Sequence, residues 1–216
     1  MQAARGSANL GAYAMIVVTN LVVVLGVLLW NWSAREVLLL YGVEILAAGA
    51  FAALRIAAAE PSGVIGVPYM GWGGKLFCMG VSIALWAPFL YVYLLGLAAL
   101  YPYDPAREGS LPHLIAVGAA DPFLLVGLAA FLLQHAWLFF DRYLVGEAYR
   151  GASVAELVID PLRRVVVTQV FVIAALAYSV VENTTALLIV PFILIRTGFE
   201  LYLEGRDGHG NPTSPE

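Results

Sequence analysis

Two short stretches of this sequence put ionisable groups where nothing beside them is polar. In LLLYGVEILAAGAFAALRIAAAE (38–60) the carboxylate of Glu44 stands inside an apolar run, and in PFILIRTGFE (191–200) the guanidinium of Arg196 does the same. Glu200 follows four residues after Arg196, which puts both on one face of a helix and lets them pair within it. A carboxylate and a guanidinium kept from water can do three kinds of work. They can fasten helices together, hold or pass a proton, or bind a small charged solute. Each demands that the groups face protein, because a charge at the middle of a membrane span costs about 2.5–3.5 kcal/mol.

A second polar set lies in FLLQHAWLFFDR (131–142), where Gln134 and His135 are followed one heptad later by Asp141 and Arg142. Thr168 and Gln169 sit at a similar depth in a later apolar run. With Arg196, Glu200 and Arg55 these residues can line a polar cavity, or they can simply satisfy one another across helices. A metal centre is not expected. The three histidines, His113, His135 and His209, fall in a loop, a span and the tail, and Cys78 is the one cysteine. There is no G-x-S-x-G, no phosphate-binding glycine loop and no Ser/His/Asp set at matching depth, so no catalytic residue and no cofactor is assigned. The basic residues are scattered, which excludes a nucleic-acid surface.

What must position these groups follows from composition. Of 216 residues, 62% are hydrophobic and 12% charged. Soluble domains run near about 45–50% apolar and about 25% charged. The apolar residues fall in runs of spanning length, so the fold class is all-α integral membrane. The spacing predicts a six-span helical bundle, residues 1–203, followed by a flexible tail, 204–216. Span one covers about 10–30 and ends in Trp30 and Trp32, aromatics expected at headgroup depth. Ser33 and Glu36 form a capping box that opens span two, about 36–58, in an antiparallel hairpin.

A Gly- and Pro-rich connector, 61–74, leads to span three, about 75–100, with Pro88 inside it. An outer loop covers 101–121, and Asp121-Pro122 is a cap-plus-proline start for span four, through about Tyr143. Residues 144–160 include a short surface helix capped by Ser153 and Glu156. Asp160-Pro161 opens span five, to about Val181, and Glu182-Asn183-Thr184 turns into span six, about 185–203. With six spans, Arg5, Arg55, Lys75, Arg142, Arg150, Arg163, Arg164 and Arg206 share one side, and Arg35 and Arg107 the other. That bias places both termini in the cytoplasm and the protein in the cell membrane.

This threading sets depths for the charged groups. Glu44 and Arg196 lie about eight and about twelve residues from the same face, a backbone offset of about 6 Å at about 1.5 Å per residue. A Glu44–Arg196 pair is therefore allowed. The rival is Arg196–Glu200 within one helix, which leaves Glu44 to another donor or to protonation, with Asn20 of span one a reasonable neighbour. On span two, Tyr41, Glu44, Ala48, Phe51 and Arg55 share one sector, and Gly42, Gly49 and Ala53 the opposite one. Both faces are expected to meet protein.

The stretch EVLLLYGVE after Trp32, DPLRRV at the head of span five and RTGFE in span six resemble an uncharacterised family of multi-pass membrane proteins, domain of unknown function 6498. The family tends to show Tyr-aromatic-x-Glu where this chain has Gly42, and Lys and Asp where it has Arg196 and Glu200. The resemblance implies a fold and singles out Glu44 and Arg196, but no activity. The functional expectation is a scaffold or partner-binding subunit in the bilayer, pairing with a membrane protein or a second copy, with an intramembrane enzyme the least favoured reading. The alternative is a small-solute, ion or proton transporter using Glu44, His135 and Arg196.

Overall fold

The computed structural model describes residues 2–60, 71–100, 120–146, 149, 157–159, 162–163, 165–170, 173–174 and 189–209. The helix α1 (Gln2–Leu29) is followed by α2 (Ala34–Ala58), α3 (Trp72–Leu100), α4 (Pro122–Trp137) and α5 (Ile189–His209). A π-helical segment, Leu138–Val145, continues α4, and residues 165–170 are helical. No strand occurs among the described residues. The greater part of the connector (61–70), the outer loop (101–119), the cap at 153–156, Asp160-Pro161, most of span five, the turn at 182–184 and residues 210–216 lie outside them.

Among the described residues four helices are long and apolar enough to cross a membrane: Leu10–Leu29, Glu36–Ala58, Trp72–Gly96 and Pro122–Val145. The shortest has 20 residues, which at about 1.5 Å per residue matches a hydrocarbon layer of about 30 Å. Helix α5, at 21 residues, is long enough, but Arg196, Glu200, Glu204, Arg206 and Asp207 keep its composition from marking it as a span. It continues through His209 and so includes the first residues of the stretch assigned to the tail. The reason is visible on its buried face. Arg196, Glu200 and Glu204 recur every four residues and all are buried, so the helical repeat continues past Leu203.

The α1–α2 hairpin turns at Asn31, whose φ of 53° is left-handed, a conformation that Asn tolerates better than most residues. The reversal brings the N–H groups of Trp30 and Trp32 onto the carbonyl of Gly26 at 3.1 and 3.0 Å. Glu36 then accepts from the Ser33 N–H at 2.5 Å, which opens α2. Trp32 departs from its expected place at the headgroups. It is 1% exposed and lies in the core, filling the space left by Gly26 and Gly127, while half-buried Trp30 stacks on Phe123 at 4.7 Å. At the start of α4, Asp121 accepts from the Phe123 N–H at 2.8 Å, with Pro122 as first helical residue.

Helix α1 lies against α4 and α5, and α2 lies between α4 and α3. One core cluster gathers Val23, Trp32, Leu40, Tyr41, Ile45, Phe131 and Ile193. A second, toward the C-terminal end of α2, gathers Ile56, Cys78, Phe139 and Tyr143. There the Tyr143 hydroxyl donates to the Arg55 carbonyl at 2.6 Å and Lys75 Nζ to the Ala57 carbonyl at 2.8 Å. The Ala57 carbonyl is one that a helix end leaves open, and the Arg55 carbonyl accepts also from the Ala59 N–H at 2.9 Å. The outer surface is apolar, with Leu21, Phe77, Ile83, Leu133, Val170 and Ile195 all exposed. Charge inside and hydrocarbon outside is the reverse of a water-soluble protein.

The glycine face of α2 meets α3. A Cβ at Gly42 would come within 2.6 Å of Tyr93 Cε1, and one at Gly49 within 3.2 Å of Trp86 Cε3. Both rings are buried, and the overlap at Gly42 is too deep for a small shift to relieve, whereas that at Gly49 needs only a few tenths of an ångström. Gly42→Ala should cost about 1–3 kcal/mol by overpacking, less about 1 kcal/mol of helix propensity regained, whereas Gly49→Ala should be near neutral. Thermal melts of the detergent-solubilised variants check this ranking, and a Gly42→Ala protein as stable as the parent contradicts it.

Candidate functional site

Arg196 is 1% exposed, and its guanidinium is held from four directions. From α1, Asn20 Oδ1 accepts from one terminal nitrogen at 3.1 Å. From α2, Glu44 accepts a short bond from the other. That nitrogen also donates to Glu200 Oε1, one turn along α5, at 2.5 Å. From the helical stretch 165–170, Thr168 Oγ1 accepts from Nε at 3.4 Å. The ring of Tyr41 lies 4.4 Å from the guanidinium carbon, a cation–π contact on the remaining open side. The two pairings that the sequence set against each other, Glu44–Arg196 and Arg196–Glu200, are made together.

Asn20 is the hinge of this arrangement. Its carbonyl oxygen faces Arg196, and its amide donates to Glu200 Oε2 at 3.3 Å and to the Ile16 carbonyl at 2.9 Å. It therefore meets the positive group with its acceptor and the negative group with its donor, using the two separate ends of one amide. Charge-assisted bonds of this kind offset the cost of taking ions out of water only when the geometry is nearly complete. Glu44 departs from completeness. One oxygen meets Arg196, while Oε2 is buried with no hydrogen-bond partner among the described residues.

The sequence of residues 2–216 matches a family of unknown function, DUF6498. The chain belongs to that family. No curated protein and no solved structure matches it. The DUF6498 assignment carries no activity, so what the site can do rests on its geometry.

In this DUF6498 protein the other proposed site residues lie apart from the guanidinium. Gln169, next to Thr168, is 4% exposed and donates to the Phe89 carbonyl at 3.2 Å. Gln134, on the buried side of α4, has an Oε1 with no hydrogen-bond partner among the described residues. His135 stacks on Phe51 of α2, centroids 5.9 Å apart. Among the described residues no group of three or more His, Cys, Asp or Glu side chains is placed to hold a metal. Sequence reasoning gave no site role to Tyr41 or Glu204. The i, i+4, i+8 recurrence of 196, 200 and 204 was the available signal for Glu204, and the i, i+3 relation to Glu44 was the signal for Tyr41.

Replacing the hinge should expose its role. Asn20→Leu leaves both an Arg196 donor and a Glu200 acceptor buried without partners, a cost of about 2–4 kcal/mol. Thr168→Val takes away a single, longer acceptor of Arg196, at 3.4 Å, and should cost less than Asn20→Leu. Thermal unfolding in detergent distinguishes them, and equal losses would deny Asn20 its special place.

Proposed function

We propose that this protein is a six-span integral protein of the cell membrane with both termini cytoplasmic, serving as a scaffold or partner-binding subunit. The bilayer is its first partner, and a membrane protein or a second copy of the chain is the kind of partner this role implies. Four apolar helices and an apolar exterior around a charged centre support the membrane reading. Segregation of basic residues, eight on one side against two on the other in the six-span threading, supports the orientation.

The observation that carries the scaffold role is the commitment of Arg196. Each of its three guanidinium nitrogens is already bonded to protein, and the partners come from α1, α2, α5 and the 165–170 stretch. A guanidinium that binds a solute keeps donors in reserve. Here four of the five N–H groups already hold protein acceptors, and three of those bonds join elements far apart in the chain.

Arg196→Met leaves two carboxylates buried without their cation and should lower stability by about 3–5 kcal/mol, read as a collapse in membrane abundance. The triple variant Arg196→Met, Glu44→Gln, Glu200→Gln removes the stranded charges and should recover much of it. Proteoliposomes of the parent should pass protons and ions no faster than empty ones. A protein-dependent flux that Glu44→Gln abolishes in a folded protein would favour transport instead.

Topology is tested separately. In a Cys78→Ala background, Glu108→Cys should react with a membrane-impermeant maleimide from outside intact spheroplasts, and Gly151→Cys only after lysis. Labelling of both from outside rules out the six-span threading.

A further inference from the structure

Helix α4 buries Leu124, Gly127, Phe131 and Gln134, and Leu138 continues the series at spacings of three and four residues. An unbroken α-helix, at about 100° per residue, would carry this face on through Asp141 and Val145. Phe139 and Tyr143 would then point about 140° and about 180° away from Gln134. The structure does the reverse. Phe139 and Tyr143 are buried, while Asp141 is half-buried and Val145 is 77% exposed.

The π-helical segment Leu138–Val145 makes this exchange. Its closing bond runs from the Gly146 N–H to the Asp141 carbonyl, five residues back, at 2.9 Å. Each π turn takes in about one residue more than an α turn, so the buried face passes to a different set of side chains. No proline or glycine lies within the segment to force the change. Backbone geometry favours α over π, so side chains must hold this stretch in its register.

The contacts that hold it are with α2. Phe139 packs on Phe51 with centroids 5.9 Å apart, and Tyr143 stacks on Phe139 at 5.8 Å. The Tyr143 hydroxyl donates to the Arg55 carbonyl at 2.6 Å. Backbone preference and side-chain docking therefore pull the segment in opposite directions. The α register also has its own occupant for the buried face, because it turns Val145 inward in place of Tyr143.

We propose that Leu138–Val145 is a register switch. In the π form Tyr143 docks on α2. In the α form it swings out, Val145 turns in, and the end of α2 near Ala58 is released from α4. Cys78 of α3 belongs to the same cluster and is 8% exposed, so it is uncovered when Phe139 and Tyr143 leave. The bundle then has one movable end while the joint at Arg196 stays closed in both forms. This goes beyond the scaffold reading, and neither depends on the other.

Cys78 is the chain's one cysteine, so its alkylation by N-ethylmaleimide in the detergent-solubilised full-length protein reads the open form directly. Tyr143→Phe removes the hydroxyl bond and should speed alkylation about two- to tenfold. Deleting the exposed Phe140 takes out the extra residue. In an unbroken α-helix Tyr143 then lies about 80° from Gln134, on the side of Phe131 and Leu138, and stays docked without a π turn. Alkylation of this variant should fall below that of the parent. A folded deletion variant that reacts as fast as the parent or faster overturns the proposal, and so does a Tyr143→Phe protein no faster than the parent. If the deletion variant does not fold, hydrogen exchange in the parent decides. Amides of 139–146 exchanging well before those of 126–137 support the switch, and equal protection of the two stretches overturns it.

Discussion

A guanidinium has five N–H donors in a rigid plane and cannot shed its proton, so burying one commits the surrounding helices to supplying acceptors in that plane. The rest of the bundle is arranged around meeting this demand at Arg196. Asn20, Glu44, Thr168 and Glu200 reach it from four separate elements. The elements other than α5 are thereby fixed in rotation, since turning α1, α2 or the 165–170 stretch by a single residue swings its acceptor away, while Glu200 travels with Arg196 on the same helix. Hydrocarbon contacts alone do not provide such selectivity. Between helices in lipid there is little apolar driving force, and small-residue packing and polar bonds decide which faces meet.

The same demand explains why the acceptors are mixed. Four carboxylates would satisfy the donors and overload the centre with charge, while four neutral groups would leave the cation uncompensated. The observed set has two carboxylates, one amide and one hydroxyl, with an aromatic face over the top. Asn20 matters more than its lack of charge suggests, because it contacts both signs at once. Removing it disturbs two ions.

The sequence made the charged members of this site legible and its neutral members only partly so. Glu44, Arg196 and Glu200 stand out because charges inside apolar runs have few permitted surroundings, and depth arithmetic brings the first two within reach. Asn20 and Thr168 were visible as polar residues at suitable depth. Which of several such residues turns inward depends on helix rotation, and the chain does not encode that locally. Tyr41 was hidden because a tyrosine in a span reads equally well as lining or packing. Trp32 was misplaced for a related reason. An aromatic at a span's end normally marks the headgroups, but Gly26 and Gly127 open a space for it that becomes visible only once α1 and α4 are side by side. The extension of α5 to His209 hid behind a run of charges and glycines whose composition suggests a tail.

The glycines of α2 bear on the site although they never touch it. On a helix, two residues separate side chains by about 200°, so Glu44 points almost opposite to Gly42. Gly49, five residues beyond Glu44, falls about 140° from it, again on the far side. Tyr93 and Trp86 of α3 press against these two positions so closely that only glycine leaves room at the first. Docking of α3 therefore fixes the rotation of α2 from behind, and that rotation aims Glu44 at α5. Rotating α2 to turn its carboxylate toward lipid would drive larger side chains into the two rings. The charge at the centre is thus positioned by close packing on the side of the helix that carries none.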